Sequence, residues 1–351
     1  MEEEYLRQEA IRRYNTGEKP KSIWISLGRS ERWFFKWLRR FKEGTSDWYQ
    51  ARSRRPQNVP LRTPREIEKI IVDTRLYLYN EGLFYGAQAI IWEMEEQHIK
   101  PIPSPSTINR ILKRNGLTNR RTGRYIPKGK QYPKLQAHIP GDVHQLDRVG
   151  PCYLTGPVRF YSINAVDIAT GSCGIQPMSK KGGQELIDGI WAIWGRMGLP
   201  CYQQIDNDMS FYGSPRHPRG MGQFIRLCLH NGIQPCFIPL AEPWRNGVVE
   251  KFNDHWEQKF LNCVQMNSAR DLKRESLAFE CKHNTRIKYT KLNGKTPAAA
   301  LAASGHELRF PARPKAPRIP LEKPEQGKYH VVRFIRSNGI LNIFSEQFTV
   351  P

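Results

Sequence analysis

From Gly141 onward the chain turns from helix-like sequence to short runs rich in β-branched and aromatic residues, and this change limits the fold more than any other feature. VHQLD, RFYSINAVDI and SCGIQPM follow one another closely, while CYQQID and QPCFIPL come later. Between them, residues 183–197 place Leu186, Ile190 and Trp194 on one side of a helix. Further helices are expected over about 220–231 and about 244–262. Three consecutive strands, then alternating helices and strands, predict a mixed α/β sheet with helices packed on it.

Everything ahead of that core reads as helix or linker. The first 45 residues read as three short helices, the second ending at Leu27-Gly28 and the third capped by Ser30. In the third, Phe34, Trp37, Leu38 and Phe41 recur at helical spacing and predict one buried stripe. Arg32, Lys36, Arg39 and Arg40 fall on other faces. A short helix, a glycine turn and a basic amphipathic helix describe a helix-turn-helix unit that contacts DNA through those side chains.

A second such unit is expected from Thr63. Thr63 and Glu66 form a capping box around Pro64. Ile67, Ile70, Ile71 and Thr74 mark its first buried face, followed by Ile90, Ile91 and Met94, and then Ile108, Ile111 and Leu112. Arg110, Lys113 and Arg114 face outward and are candidate DNA contacts. Residues 118–141 contain no acid but carry Arg120, Arg121 and Arg124, a composition suited to tracking a phosphate backbone.

The formal net charge of +22 favours a polyanionic partner, with double-stranded DNA first. No run reaches the roughly 18 apolar residues of a spanning helix, and the N-terminus MEEEYLRQEA lacks an apolar signal core. A cytoplasmic, nucleoid-associated protein with no membrane partner is therefore expected. The seven cysteines include no C-x-x-C pair, which disfavours structural zinc.

Three acids stand out by position. Asp147 ends the first expected strand, Asp206 ends another in QQIDND, and Glu250 lies just inside a helix in PWRNGVVEKFN. Any one of them has an ordinary reading as a turn cap or a solvated helix residue. An open α/β sheet, however, can bring strand ends and a facing helix together. Clustered carboxylates repel unless a cation neutralises them, and hard divalent ions suit oxygen ligands. Two such ions can hold the attacking and leaving oxygens of a phosphodiester displacement.

These residues resemble the integrase-core transposases of bacterial insertion sequences, relatives of retroviral integrases. Asp147 in HQLDRVGP is similar to the first acid of that family. Asp206-Asn207 resembles its strand-terminal Asp-Asn pair, and PWRNGVVEKFN its Pro-x-x-Asn-Gly-x-x-Glu helix start. TRIKYTKLNGKTPAAAL and the terminal VVRFIRSNGILNIFSEQFTV are similar to later segments.

The resemblance implies an RNase H-like mixed-sheet core flanked by N-terminal all-α helix-turn-helix units and a small C-terminal β domain. It implies strand cleavage and transfer with two Mg²⁺ (or Mn²⁺) ions, held by Asp147, Asp206 and Glu250 as catalytic and metal-binding residues. By position, Asn207 is expected to orient Asp206 and Asn246 to cap the Glu250 helix, while Lys251 either contacts DNA or is simply solvated. The partners implied are element ends and target DNA, bound by a homo-multimer. The interval from Asp206 to Glu250 is longer than usual for that family, and Asp208 replaces a common glycine. Two competing readings are a catalytically silent DNA-binding regulator and a nuclease that hydrolyses without joining.

The expected organisation is a helix-turn-helix unit (1–50), a second helix-turn-helix or winged-helix-like unit (60–117), a basic linker (118–140) and the catalytic core (141–305). A proline-rich stiff spacer (306–325) and an incomplete β domain (326–351), with a hairpin turn at Asn338-Gly339, close the chain.

Overall fold

Caps and apolar spacing set the first helices. The computed structural model describes residues 2–51, 63–118, 135–154, 158–213, 221–239, 242–333, 335, 339–343 and 346–350. They form two compact units, Met1–Arg62 and Thr63–Pro351. In the first unit α1 (Glu2–Asn15), α2 (Pro20–Ser26) and α3 (Glu31–Lys42) pack together. The Ser30 hydroxyl accepts a hydrogen bond from the Trp33 amide, as the cap at the start of α3 requires. Phe34, Trp37 and Leu38 are buried, and Phe34 and Leu38 join Ala10, Ile11 and Ile23 in one cluster. Each large apolar side chain so buried contributes roughly 1.5–3 kcal/mol, which is how so small a unit holds.

The second unit opens with α4 (Arg65–Asn80), α5 (Ala87–Glu96) and α6 (Pro105–Arg114). The expected inward residues of all three are buried, except that Ile70 is only partly so. The capping box does not form. Pro64 is extended, with φ −53° and ψ 147°, so α4 starts at Arg65 and no side chain caps it.

Then come β1 (Val143–Tyr153), β2 (Arg159–Asp167), β3 (Cys173–Met178), α7 (Gln184–Met197) and β4 (Tyr202–Ile205). A short α8 (Met209–Tyr212), α9 (Gln223–His230) and β5 (Gln234–Phe237) follow. A 3-10 turn (Pro243–Asn246) leads into α10 (Gly247–Trp256) and a π-helical turn (Glu257–Leu261). Next are α11 (Ala269–Arg286), α12 (Pro297–Ser304) and β6 (His330–Val331). β1, β2 and β3 are antiparallel neighbours, whereas β4 and β5 run parallel to β1 on its other side. The order β3-β2-β1-β4-β5, extended by β6 at the edge, is an RNase H-like mixed sheet.

The two-residue period of the strands sorts the cores. Leu146, Ile163 and Ala165 join α7 and α9 on one face, while Val166 and Ile175 join α10 and α11 on the other. The 18-residue α11 was not expected from the sequence. Its buried side is half polar, with Ser276, Glu280 and His283 beside Leu272 and Phe279, so no apolar stripe advertises it. Glu280 is secured there by the Arg196 guanidinium (2.7 Å) and the Ile175 amide (2.7 Å).

Residues 306–325 are extended, as their prolines require, but they are fastened rather than free. The Leu199 amide donates to the Arg309 carbonyl (2.7 Å), and the Trp191 indole donates to the Arg313 carbonyl (3.0 Å). Gly198, with φ +86°, permits this approach, since a Cβ there would lie 3.0 Å from Leu308 Cβ and 3.1 Å from the Arg309 carbonyl oxygen. The hairpin also differs from expectation. β7 (Ile340–Ile343) pairs with β8 (Glu346–Thr349) in a register joining Ile343 to Glu346, so among the described residues the strand after Asn338-Gly339 pairs with the segment downstream of it. The Gly339 carbonyl instead accepts from the Val350 amide (2.8 Å), which places it at the open end of the ladder.

Candidate active site

β1 outlasts its parallel neighbour, and that difference creates the site. Asp147 is therefore not at a strand end, as expected, but in mid-strand opposite Asn164 of β2. On the other side, β1 and β4 pair as Val143↔Tyr202 and Gln145↔Gln204. Carrying that register forward two residues sets Asp147 level with Asp206, just past the end of β4. Adjacent strands lie about 4.8 Å apart, and residues two apart share a face. Both carboxylates therefore project from the face covered by α10, the helix that carries Glu250.

Gln145 and Gln204 seat that helix. Gln145 Oε1 accepts from the Val248 amide (3.0 Å) and the Val249 amide (3.1 Å), two of the first free amides of α10. Gln145 Nε2 and Gln204 Nε2 both donate to the Arg245 carbonyl, at 2.8 and 2.7 Å. Asn246 was expected to cap α10 but makes no side-chain cap bond; its amide donates to the Leu146 carbonyl (3.2 Å). The long Gln145 side chain reaches the amides from β1 and takes that role instead.

A chain of amides links the first acid to the helix that carries the third. Asn253 lies one turn beyond Glu250, and its Nδ2 donates to Asp147 Oδ2 (2.7 Å). Asn164 Nδ2 donates to Asn253 Oδ1 (2.8 Å), and the Ser162 hydroxyl donates to Asn164 Oδ1 (2.7 Å). Asp147 Oδ1 accepts from the Arg148 amide (2.8 Å), and Asp206 Oδ1 accepts from the Asp208 amide (3.1 Å). Asn207 does not orient Asp206. It ties the end of β4 to β5 by donating to the Ile238 carbonyl (2.8 Å). Asp208 is engaged too, capping α8 through the Ser210 amide (2.8 Å) and pairing with Arg148 (2.5 Å).

The charges register one another. Burial raises the Asp147 carboxyl above its ordinary value, against hydrogen bonds from the Arg148 amide and Asn253, with the charge of Asp208 adding to the rise. Burial also raises Asp206, and the neighbouring charges of Asp147 and Asp208 raise it further. Glu250, on the exposed side of α10, is raised by desolvation and then by Asp147, Asp254 and Asp206. Burial pushes Asp208 upward too, but bonds from Ser210 and Arg148 hold it below the usual range. Among the described residues, no three acidic, histidine or cysteine side chains are gathered tightly enough to hold a metal ion. The donors themselves fit one chemically: three oxygen-bearing carboxylates whose mutual repulsion a hard divalent cation would relieve.

Asp167 closes the β2–β3 turn by accepting from the Thr170 amide (2.7 Å) and the Gly141 amide (2.7 Å), with buried His144 at 3.4 Å. Arg32, Lys36 and Arg39 are exposed on α3, and Lys36 also sits over the Trp37 ring (5.1 Å). Arg40 is half-buried over the same ring (4.7 Å) and donates to the Gln50 carbonyl (3.0 Å). Arg110 and Lys113 are exposed on α6, while Arg114 pairs with Glu68 (2.6 Å). Lys251 is exposed on α10 beside Asp254 (3.3 Å). Arg120, Arg121 and Arg124 lie outside the described residues, as does most of the glycine- and proline-rich loop between Asp206 and Glu250. No described helix is long and apolar enough to cross a membrane.

No curated protein matches the chain. The HTLV-2 integrase catalytic core domain in complex with magnesium (trimeric form) aligns at 18% identity and a TM-score of 0.36, covering 46% of this chain and 95% of that one. The simian T-cell lymphotropic virus intasome in complex with PP2A regulatory subunit B56 gamma aligns at 16% identity and a TM-score of 0.40, covering 68% and 77%. Residues 1–49 match the homeodomain-like domain family.

Proposed function

We propose that this chain is a transposase or integrase that binds the ends of a mobile element, cuts them and joins them to target DNA. The observation that carries the reading is that Asp147 and Asp206 share the sheet face covered by α10, the helix of Glu250, whose carboxyl is raised by desolvation and then by the charges of Asp147, Asp254 and Asp206. Mixed α/β topology alone would not support it, because one fold hosts many activities.

In this reading the three carboxylates would hold two Mg²⁺ or Mn²⁺ ions, which supply Lewis-acid activation of the attacking oxygen and charge relief on the leaving one. The chain's own contribution is position. Asn253 holds Asp147 against α10, and Gln145 fixes where Glu250 enters the site. Arg148 follows the first acid directly and stands where a phosphate could compete with Asp208 for its guanidinium. The N-terminal helices would bind the terminal repeats, and a multimer would hold two ends together.

The test uses a labelled duplex taken from the DNA that brackets the gene, incubated with the full chain and Mg²⁺. The wild type should nick the duplex and then join it to a plasmid. Asp147→Asn should bind equally well and lose at least about a hundredfold in cleavage, the scale of removing one electrostatic stabiliser. Equal cleavage by both proteins sinks the proposal. Cleavage without joined products, even from pre-nicked ends, reduces it to a nuclease.

A further inference from the structure

α10 has a second face, turned away from Glu250. Successive residues on a helix are turned by about 100°, so Lys251, Val248 and His255 lie well around the cylinder from Glu250. They line a pocket of about 640 Å³ between α10, the loop joining α4 to α5, and the segment after α11. That volume falls within the roughly 300–1,000 Å³ of small-ligand sites.

The lining is selective in three ways. Lys251, Lys259 and Lys291 contribute to it and no acid does, which favours an anionic guest. Phe84 is 37% exposed, and its ring lies 5.3 Å from that of His255 and 5.5 Å from that of Tyr289 in edge-to-face contacts, so the lining offers aromatic surface to a guest. The two imidazoles are incompletely bonded. His283 is 2% exposed, and its Nε2 meets the Tyr289 hydroxyl (3.0 Å) and the Gly171 carbonyl (3.3 Å), which leaves Nδ1 buried with no partner among the described residues. His255 Nε2 is buried and likewise without a partner among them. Such orphaned groups are costly unless a guest satisfies them. Burial and the nearby Lys259 and Lys251 lower His255 to about 4, so at neutral pH it offers a neutral ring.

Inorganic phosphate would use the lysines and waste the rings, while an apolar molecule would use the rings and leave the imidazoles unpaired. We propose that the pocket receives a single unstacked nucleotide of the bound DNA strand, its base against Phe84 and the two imidazoles and its phosphate at Lys251 and Lys259. The assignment rests on the proposed DNA-processing function and deepens it, since the pocket adjoins the helix that carries Glu250. An enzyme that takes a nucleotide out of the stack must pay for unpairing it, and a preformed pocket offsets that cost.

The test is a titration of the full chain, ¹⁵N-labelled at its histidine rings, with 2′-deoxyadenosine 5′-monophosphate, deoxyadenosine and inorganic phosphate. The nucleotide should shift the His255 ring signals saturably, and phosphate should shift them far less. Phe84→Ala should weaken both nucleotide and nucleoside by about tenfold, as loss of one base-stacking platform does. Lys251→Ala, whose side chain is solvent-exposed and outside any core, should weaken the nucleotide and spare the nucleoside. A second probe, a duplex with 2-aminopurine opposite an abasic site, should change fluorescence on binding wild type and not Phe84→Ala. Equal shifts from phosphate and nucleotide, or no shift from either, overturn the pocket. A nucleotide shift with no Phe84-dependent change in the duplex overturns its DNA origin. The readout needs no strand cleavage, so a chain that binds nucleotide but never cuts DNA leaves the pocket standing and removes only the transposase reading.

Discussion

His283 shows how a single buried side chain sets a pH limit on the fold. Burial, and then the nearby His255, lower it from 6.5 to about 3. Tyr289 beside it is itself raised by burial and stays protonated, and the Glu280 carboxylate one turn earlier is held by Arg196 and the Ile175 amide. The unfolded chain therefore binds a proton at 6.5 that the folded chain refuses until about 3. The stability tied to this residue is complete above 6.5 and is lost as pH falls toward that lower value. Each retained difference of one proton tilts stability by about 1.4 kcal/mol per pH unit. His283→Gln keeps a donor for the Gly171 carbonyl and removes the titration. Urea unfolding midpoints should fall less steeply for this variant than for wild type between pH 6.5 and 4.5, and parallel slopes would show that His283 takes up protons in the folded state. At this scale the sequence was only partly legible. The three acids could be singled out because their neighbours carry the pattern, but Asn253 and Asn164 could not. Their roles depend on a strand register and a helix seat that bring together residues distant in the chain.

At the scale of elements, α10 depends on β1 more than on its own sequence. Its first amides are satisfied by Gln145 from the sheet, and the Asn246 side chain points elsewhere. Gln145→Met keeps the volume and removes both acceptor and donor. Leaving buried amides unpaired costs about 1–3 kcal/mol, so the melting temperature should drop measurably. Cleavage should fall by more than the folded fraction accounts for, because Glu250 loses its fixed entry angle. Glutamate at the same position keeps the acceptor and should restore part of both. If Gln145→Met melts like wild type, the cap contributes nothing. The same coupling explains which elements could be read in advance. Strands and helices with a clean apolar period, β1 through β5 and α7 among them, follow the sequence pattern. α11 was hidden because its inward side is built from a salt-bridged glutamate and a hydrogen-bonded histidine. The hairpin expectation missed the described ladder because Asn-Gly is a local signal, whereas β7 pairs with the later β8.

For the whole molecule, the balance of charge and the division into two units bear on the proposed binding of DNA. A chain of net charge +22 gains affinity by displacing the counterions of DNA, so its binding must weaken steeply with salt whatever the sequence bound. Exposed Arg32 and Arg39 on α3 belong to a unit with its own core, whereas Asp147, Asp206 and Glu250 belong to the other. Sequence preference and strand cleavage should therefore come apart experimentally. Residues 63–351 alone retain every residue of the sheet and of its two flanking cores, and should melt as a folded body. They should still nick DNA in Mg²⁺, with little preference for element ends over unrelated duplex. Within the full chain, Arg39→Ala should lower the slope of log affinity against log salt by about one contact's worth, near 1, if Arg39 meets a phosphate. If it reads a base instead, the slope should hold and affinity for the element end should fall by about 1–3 kcal/mol. Filter binding across a salt series separates the two outcomes. An Arg39→Ala protein unchanged in both slope and preference would leave α3 as a packing helix, and would move end recognition to the basic faces of the second unit.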